Sequence, residues 1–165
     1  RTLDAASTRR GYHSTSVLLP DGRVLMGGGE ERELDYEIFQ PPYLTDGSAR
    51  PIIRGAPSTI HAPLGSRHWL AYDPLPPGVE IERVVLMRTM AHTHHADTDQ
   101  RYVELAIEAN SGSPSQAGVA HRLQFRLPSN SNVAPRGDYM LFLITTPQRT
   151  NSRGTPSEAA WLTIE

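Results

Sequence analysis

The sequence predicts an all-β chain: an N-terminal segment built on a hairpin, followed by an immunoglobulin-like β-sandwich. Three observations carry that prediction. Fourteen prolines and thirteen glycines are spread along the 165 residues rather than clustered. Valine, isoleucine and leucine fall in short runs between them, as strands and turns require. No segment sustains the 3.6-residue apolar period of an amphipathic helix. A chain of this length buries roughly 70% of its unfolded surface, so it needs no covalent staples. The absence of cysteine removes disulfides, cysteine zinc sites and thiol nucleophiles in any case. A net charge of -2, with arginine and carboxylates interspersed, supplies no basic field for nucleic acid. No apolar run approaches the 18 residues of a membrane span.

Taken in order, the first ten residues (RTLDAASTRR) are polar and read as loop. Residues 12–19 (YHSTSVLL) form a strand-like run, Pro20-Asp21-Gly22 a turn, and residues 23–26 (RVLM) a second strand. Proline presets φ and glycine accepts positive φ, so this is a hairpin with a mechanism. Gly27-Gly28-Gly29 then allows close backbone approach where the strand ends. The charged string EERELD (30–35) is exposed and lacks the glycine and ligand spacing of a calcium loop. Residues 36–39 make a short strand that Gln40-Pro41-Pro42 terminates, and a domain boundary falls between positions 39 and 44. Seven strands follow, at 51–56, 68–72, 82–88, 102–109, 121–126, 139–145 and 159–164. Their spacing and turn-rich connections are those of a sandwich, with YMLFL (139–143) as a central strand. The aromatics Trp69, Tyr72, Tyr139, Phe142 and Trp161 lie in these runs and are assigned to the core.

The first forty residues are harder to stabilise. Two or three strands without a covered face are marginal in water, so they pack on the sandwich or pair with strands absent from this sequence. A hairpin ending in glycines resembles the inner strands of a kelch-type propeller blade.

Chemistry concentrates in the histidines. Of seven, His92, His94 and His95 fall within AHTHHADTDQR (91–101), and His13 follows Tyr12 at the start of the hairpin. In an extended segment His92 and His94 share a face and His95 points away. Taken alone, the first group reads as a polar loop with a chance cluster. Tyr12-His13 alone reads as a strand whose tyrosine packs inward and whose histidine is solvated. Asp97 and Asp99 suggest an Asp–Arg pair with Arg101 that fixes loop shape, rather than paired acid–base chemistry. No GxSxG, phosphate-loop or dinucleotide fingerprint is present, since Gly27–Gly29 lacks the required spacing and no helix follows.

Five strings in one order change this balance: YHSTSVLLPDGRVLMGGG (12–29), YEIFQPPYL (36–44), THHADTDQR (93–101), GDYMLFLI (137–144) and GTPSEAAWLTI (154–164). Together they resemble the C-terminal portion of the galactose oxidase and glyoxal oxidase family, secreted copper-radical oxidases. The resemblance implies a seven-bladed kelch-like propeller followed by an immunoglobulin-like, E-set type sandwich. Residues 1–42 would then be the last blade's strands and residues 43–165 the sandwich. Tyr12 matches the family's axial tyrosine, which also takes the substrate hydroxyl proton, and His13 matches its first histidine ligand. The second histidine stands six residues before the glutamine of the QR string, which at Gln100-Arg101 gives His94. Two imidazoles and a phenol suit a tetragonal Cu(II) site with one equatorial position left for substrate. His92 and His95 match no family role.

The resemblance also marks what this chain lacks. The family's radical cofactor is a second tyrosine cross-linked to a cysteine, both from earlier blades, and no cysteine occurs here. The Cys–Tyr cofactor and the substrate-pocket residues are therefore expected from an upstream portion of the protein. Partners follow as the remaining propeller of the same protein, held noncovalently as a separate fragment or chain, O2, and a small-molecule alcohol, aldehyde or carbohydrate substrate. The expected location is secreted or extracellular, and the start at Arg1 reads as an excerpt or processed product. TTPQRTNSRGTPS (145–157) is longer than the turn expected there, a departure that touches the sandwich rather than the copper site. The alternative reading is a non-catalytic carbohydrate-binding or cell-surface interaction module of the same architecture. Retention of tyrosine and both histidines at the matching positions argues against it.

Overall fold

The computed structural model describes residues 5–29, 34–61, 63–94, 96–111, 120–149 and 153–165. Turn chemistry sets its first sheet. Strand β1 (Thr15–Leu18) pairs antiparallel with β2 (Val24–Gly27), and β2 with β3 (Tyr36–Phe39). Between β1 and β2, Gly22 holds φ at +84° and its N–H donates to the Leu19 carbonyl at 2.9 Å. The Asp21 carboxylate accepts from the Arg23 backbone N–H at 3.0 Å and from its guanidinium at 2.7 Å. Partial burial would raise the Asp21 carboxyl, but these Arg23 contacts outweigh it and hold the group below the usual carboxylate range. The expected hairpin is therefore present, with one correction. Strand β1 begins at Thr15, and Tyr12 and His13 lie in a turn ahead of it.

After a 3-10 turn at Pro42–Leu44, the chain forms β4 (Ile53–Gly55), β5 (Thr59–Ile60), β6 (Arg67–Tyr72) and β7 (Ile81–Arg88). A small hairpin of β8 (His92–Thr93) and β9 (Ala96–Asp97) comes next. It is followed by β10 (Tyr102–Asn110), β11 (His121–Arg126), β12 (Gly137–Thr145) and β13 (Ala160–Ile164). The strand order β4-β6-β11-β10-β7-β12-β13-β5 is continuous because β10 serves both layers. Its first half pairs with β7 and its second half with β11, with a register shift between Ile107 and Ala109. Such a bulge bends the strand from one sheet into the other. All seven expected strands are found. Strand β5 and the β8–β9 hairpin were not expected, because two residues are too few to show alternation.

One hydrophobic cluster joins the two layers. Leu70 and Tyr72 of β6 and Leu123 and Phe125 of β11 pack with Val84 and Leu86 of β7 and with Tyr139, Leu141 and Leu143 of β12. The period-2 rule that buries Leu70, Tyr72 and Leu162 turns the two tryptophans outward, against expectation. Trp69 is 41% and Trp161 53% exposed, and the Arg122 guanidinium lies 5.1 Å over the Trp69 ring.

The central strands are buried on their outer face as well. Val85, Met140 and Phe142 alternate with the core positions yet are almost inaccessible. Leu18, Gly22 and Tyr43 meet Val85, Met87 and Phe142 around an apolar cleft of roughly 290 Å³. Polar ties reinforce this packing. The Tyr43 hydroxyl donates to the Gly22 carbonyl at 2.7 Å, and the Ala159 N–H to that of Pro20 at 2.8 Å. Arg50 donates to the carbonyls of Asp21, Pro156 and Ser157 at 2.5, 2.9 and 3.0 Å. Packing on the sandwich, one of the two expected ways to stabilise the N-terminal segment, is thus seen at Leu18, Pro20, Asp21 and Gly22. The long loop after β12 joins in: Gln148 bonds both the N–H and the carbonyl of Ala49, while residues 150–152 lie outside the described set.

Candidate metal centre

The turn before β1 is built by crowding. The Ser14 N–H donates to the Gly11 carbonyl at 3.2 Å, and His13 adopts φ +65°. The carbonyl of His13 sits where a side chain on Gly28 would begin, 2.7 Å from a Cβ built there. Gly28 itself holds φ +72°, so the glycine run expected to allow close approach does so against this turn. Arg10 anchors the segment that leads in. Its guanidinium, 9% exposed, donates to the Gly28 carbonyl at 3.0 Å and ion-pairs with Asp35 at 3.2 Å. Ser7 and Thr8 add hydroxyl bonds of 2.6 Å to Glu37 and 2.7 Å to Asp35.

The second half of the site comes from the β8–β9 hairpin, some eighty positions later. Its root is closed by Asp97, whose carboxylate accepts from the N–H groups of Ala91 at 3.2 Å and Asp99 at 3.0 Å. Asp99 accepts from Arg88 at 2.5 Å. The Arg88 guanidinium also bonds the carbonyls of Pro135 and Arg136 and the Tyr139 hydroxyl, tying the hairpin to the central strands. The expected Asp–Arg pair therefore exists with a different arginine: Arg101 donates instead to the Asn132 carbonyl at 2.9 Å. Sequence reasoning missed Arg88 because the two partners lie in different elements, eleven residues apart.

At the hairpin tip the extended-strand rule fails. His94 turns to φ +50°, so it no longer shares a strand face with His92. His13 and His94 are the two non-glycine residues with positive φ among the described residues. Such backbone costs about 1–3 kcal/mol and concentrates at functional sites. The two strained turns meet. The rings of Tyr12 and His13 are 4.2 Å apart between centroids, those of His13 and His94 5.2 Å, and those of Tyr12 and His94 5.8 Å. All three pairs are tilted rather than stacked. Nδ1 of His94 lies 2.7 Å from the Thr93 hydroxyl, so Nε2 is the ring nitrogen that could hold a metal. Tyr12 is 44% exposed, so the cluster opens to its surroundings on that side. His92 faces elsewhere, with Nδ1 hydrogen-bonded to the Thr15 hydroxyl. His95 lies outside the described residues.

Among the described residues no group of three or more His, Asp or Glu side chains is placed to hold a metal ion. The cluster offers two imidazoles and a phenol, a borderline nitrogen and hard oxygen set of the kind Cu(II) accepts. The donor chemistry thus fits a Cu(II) ion.

A two-layer sandwich with a bulged strand common to both layers, carrying an accessory sheet on its outer face, defines an all-β immunoglobulin-like domain. The family described as galactose oxidase-like, early set domain matches residues 50–164. The chain belongs to that family. Galactose oxidase from Gibberella zeae is 34% identical over 165 aligned positions, covering 94% of this chain and 21% of its own. Aldehyde oxidase GLOX from Vitis pseudoreticulata is 31% identical, covering 99% of this chain and 31% of its own. The putative aldehyde oxidase Art an 7 of Artemisia annua is 26% identical, covering the whole of this chain and 28% of its own. The resemblance to the galactose and glyoxal oxidases is therefore borne out, and the chain spans a fifth to a third of the length of these relatives. No helix among the described residues is long and apolar enough to cross a membrane.

Proposed function

We propose that this chain supplies the histidine side of a copper-radical oxidase acting on a primary alcohol or aldehyde. One observation carries the reading: the adjacent Tyr12 and His13 and the sequence-distant His94 form one ring cluster on two strained turns. Relatives named as galactose and aldehyde oxidases support it. His13 and His94 would hold copper through ring nitrogens, with Tyr12 as a phenolate oxygen donor. Copper, with a Cys–Tyr radical cofactor from the rest of the protein, would supply the redox couples for a two-electron substrate oxidation and reduction of O2 to hydrogen peroxide. Tyr12 would take the substrate hydroxyl proton at its phenolic oxygen, on the open side of the cluster. The Arg88–Asp99 clamp would keep His94 at its height above the central strands.

In this reading residues 1–42 are the last strands of a kelch-like propeller. The exposed Leu34, Tyr36 and Ile38, which alternate along and ahead of β3, suit a further strand layer from that propeller. An extracellular location accompanies the proposal. The test is copper titration of the longest polypeptide that contains this chain. His13→Ala and His94→Ala should each weaken Cu(II) binding at least tenfold, the scale of losing a ligand-shell residue. Unchanged affinity in both variants would remove the assignment.

A further inference from the structure

His92 is the histidine that the metal reading leaves without a task, and its place in the fold gives it one. It opens β8, and its Nδ1 is hydrogen-bonded to the hydroxyl of Thr15, which opens β1. The pair joins two sheets that share no strand pairing, between residues 77 apart in sequence. Thr15 stands two residues after His13, and His92 two residues before His94. On each side the residue that bonds is in extended backbone, while the ring-cluster histidine is in the left-handed region. A second bond between these segments runs from the Leu18 N–H to the Met90 sulfur at 3.4 Å, at the far end of β1, and a thioether is a weak acceptor.

We propose that Thr15–His92 is the register pin of the site, a positioning pair that fixes how far the hairpin tip reaches along β1. It thereby sets the His13–His94 separation. His92 touches no reacting group; it acts through the backbone of its own hairpin. The inference rests on the copper reading for its consequence, but the bond's mechanical role does not.

Two measurements separate these. In the metal-free polypeptide, Thr15→Val and His92→Ala should each raise amide hydrogen exchange in both segments, 12–16 and 92–98. Cu(II) titration with a simple copper salt should show each variant weakened about tenfold, as for loss of a group that orients a ligand. The double variant should lose no more than the worse single one, because one interaction is removed once. Thr15→Ser keeps the hydroxyl, and His92→Asn keeps a polar atom near the Nδ1 position. Both should return affinity and the Cu(II) electron paramagnetic spectrum toward those of the parent. Unchanged exchange in Thr15→Val and His92→Ala, or additive losses of affinity, would overturn the pin. Raised exchange together with copper binding that His13→Ala and His94→Ala leave intact would uphold the pin and remove the copper reading.

Discussion

Gly28 shows how one missing Cβ shapes the site. The His13 carbonyl occupies the volume a side chain would take, and φ at +72° is unfavourable for any L residue. Gly28→Ala should therefore cost about 1–3 kcal/mol of stability and push the His13 turn away from β2. Chemical denaturation reads the first effect and Cu(II) affinity the second. A variant as stable as the parent would show that the turn yields freely. Arg88 illustrates a neighbouring principle. Its guanidinium satisfies two carbonyls, a phenol and a carboxylate at once, and Gly137 leaves it room, since a Cβ there would lie 2.9 Å from the guanidinium.

At the scale of elements, the segment leading to Tyr12 is held to β3 by carboxylates. The Thr8 hydroxyl, helped by Arg10, keeps the Asp35 carboxyl below its ordinary range, and the Ser7 hydroxyl and N–H do the same for Glu37. Both groups titrate lower when the segment is docked than when it is free, so the free form binds more protons between the two values. The docking contribution is then complete above about pH 5, past the ordinary carboxylate values, and fades as pH falls through the depressed ones. The Ser7 amide resonance should accordingly move toward its free-chain position in that acid window. Glu37→Gln should produce part of the same movement at pH 7. A resonance indifferent to both changes would contradict the role given to these bonds. The β8–β9 hairpin is the complementary case, closed at its root by Asp97 and aimed by backbone turns, with little apolar support.

For the molecule as a whole, the consequential contact is where Leu18 of β1 and the turn after it face β7 and β12. Phe142 is 4% exposed, although its neighbours Leu141 and Leu143 already fill the core. Deleting residues 1–42 should expose Phe142 and Val85, lower the Tm and raise binding of a hydrophobic dye. Phe142→Ala in the intact chain should destabilise by about 3–5 kcal/mol, the usual range for a buried phenylalanine. A deletion variant with the parent's Tm and no dye binding would mean that the sandwich does not depend on this cover.

Much of this was legible in the chain before folding. Leu70 and Tyr72, Val84 and Leu86, and Tyr139, Leu141 and Leu143 alternate at the strand period, so their segments declare themselves. The Pro-Asp-Gly turn carries its own geometry, and the ordered strings around Tyr12-His13 and His94 identify the family. The outward tryptophans were not legible, because an aromatic in a strand has no mark of which face is buried until register is set. Nor were the partners of Asp99 and His92, since a hydrogen bond between distant elements leaves no spacing to read. The sequence by itself determined the strands, the turn residues and the identities of the candidate ligands, because these depend on local periodicity and backbone preference. Only the tertiary structure decided that two turns some eighty positions apart in the chain meet, and that a threonine and a histidine join them. Contacts of that kind are fixed by how whole sheets pack, a property no local stretch of residues contains.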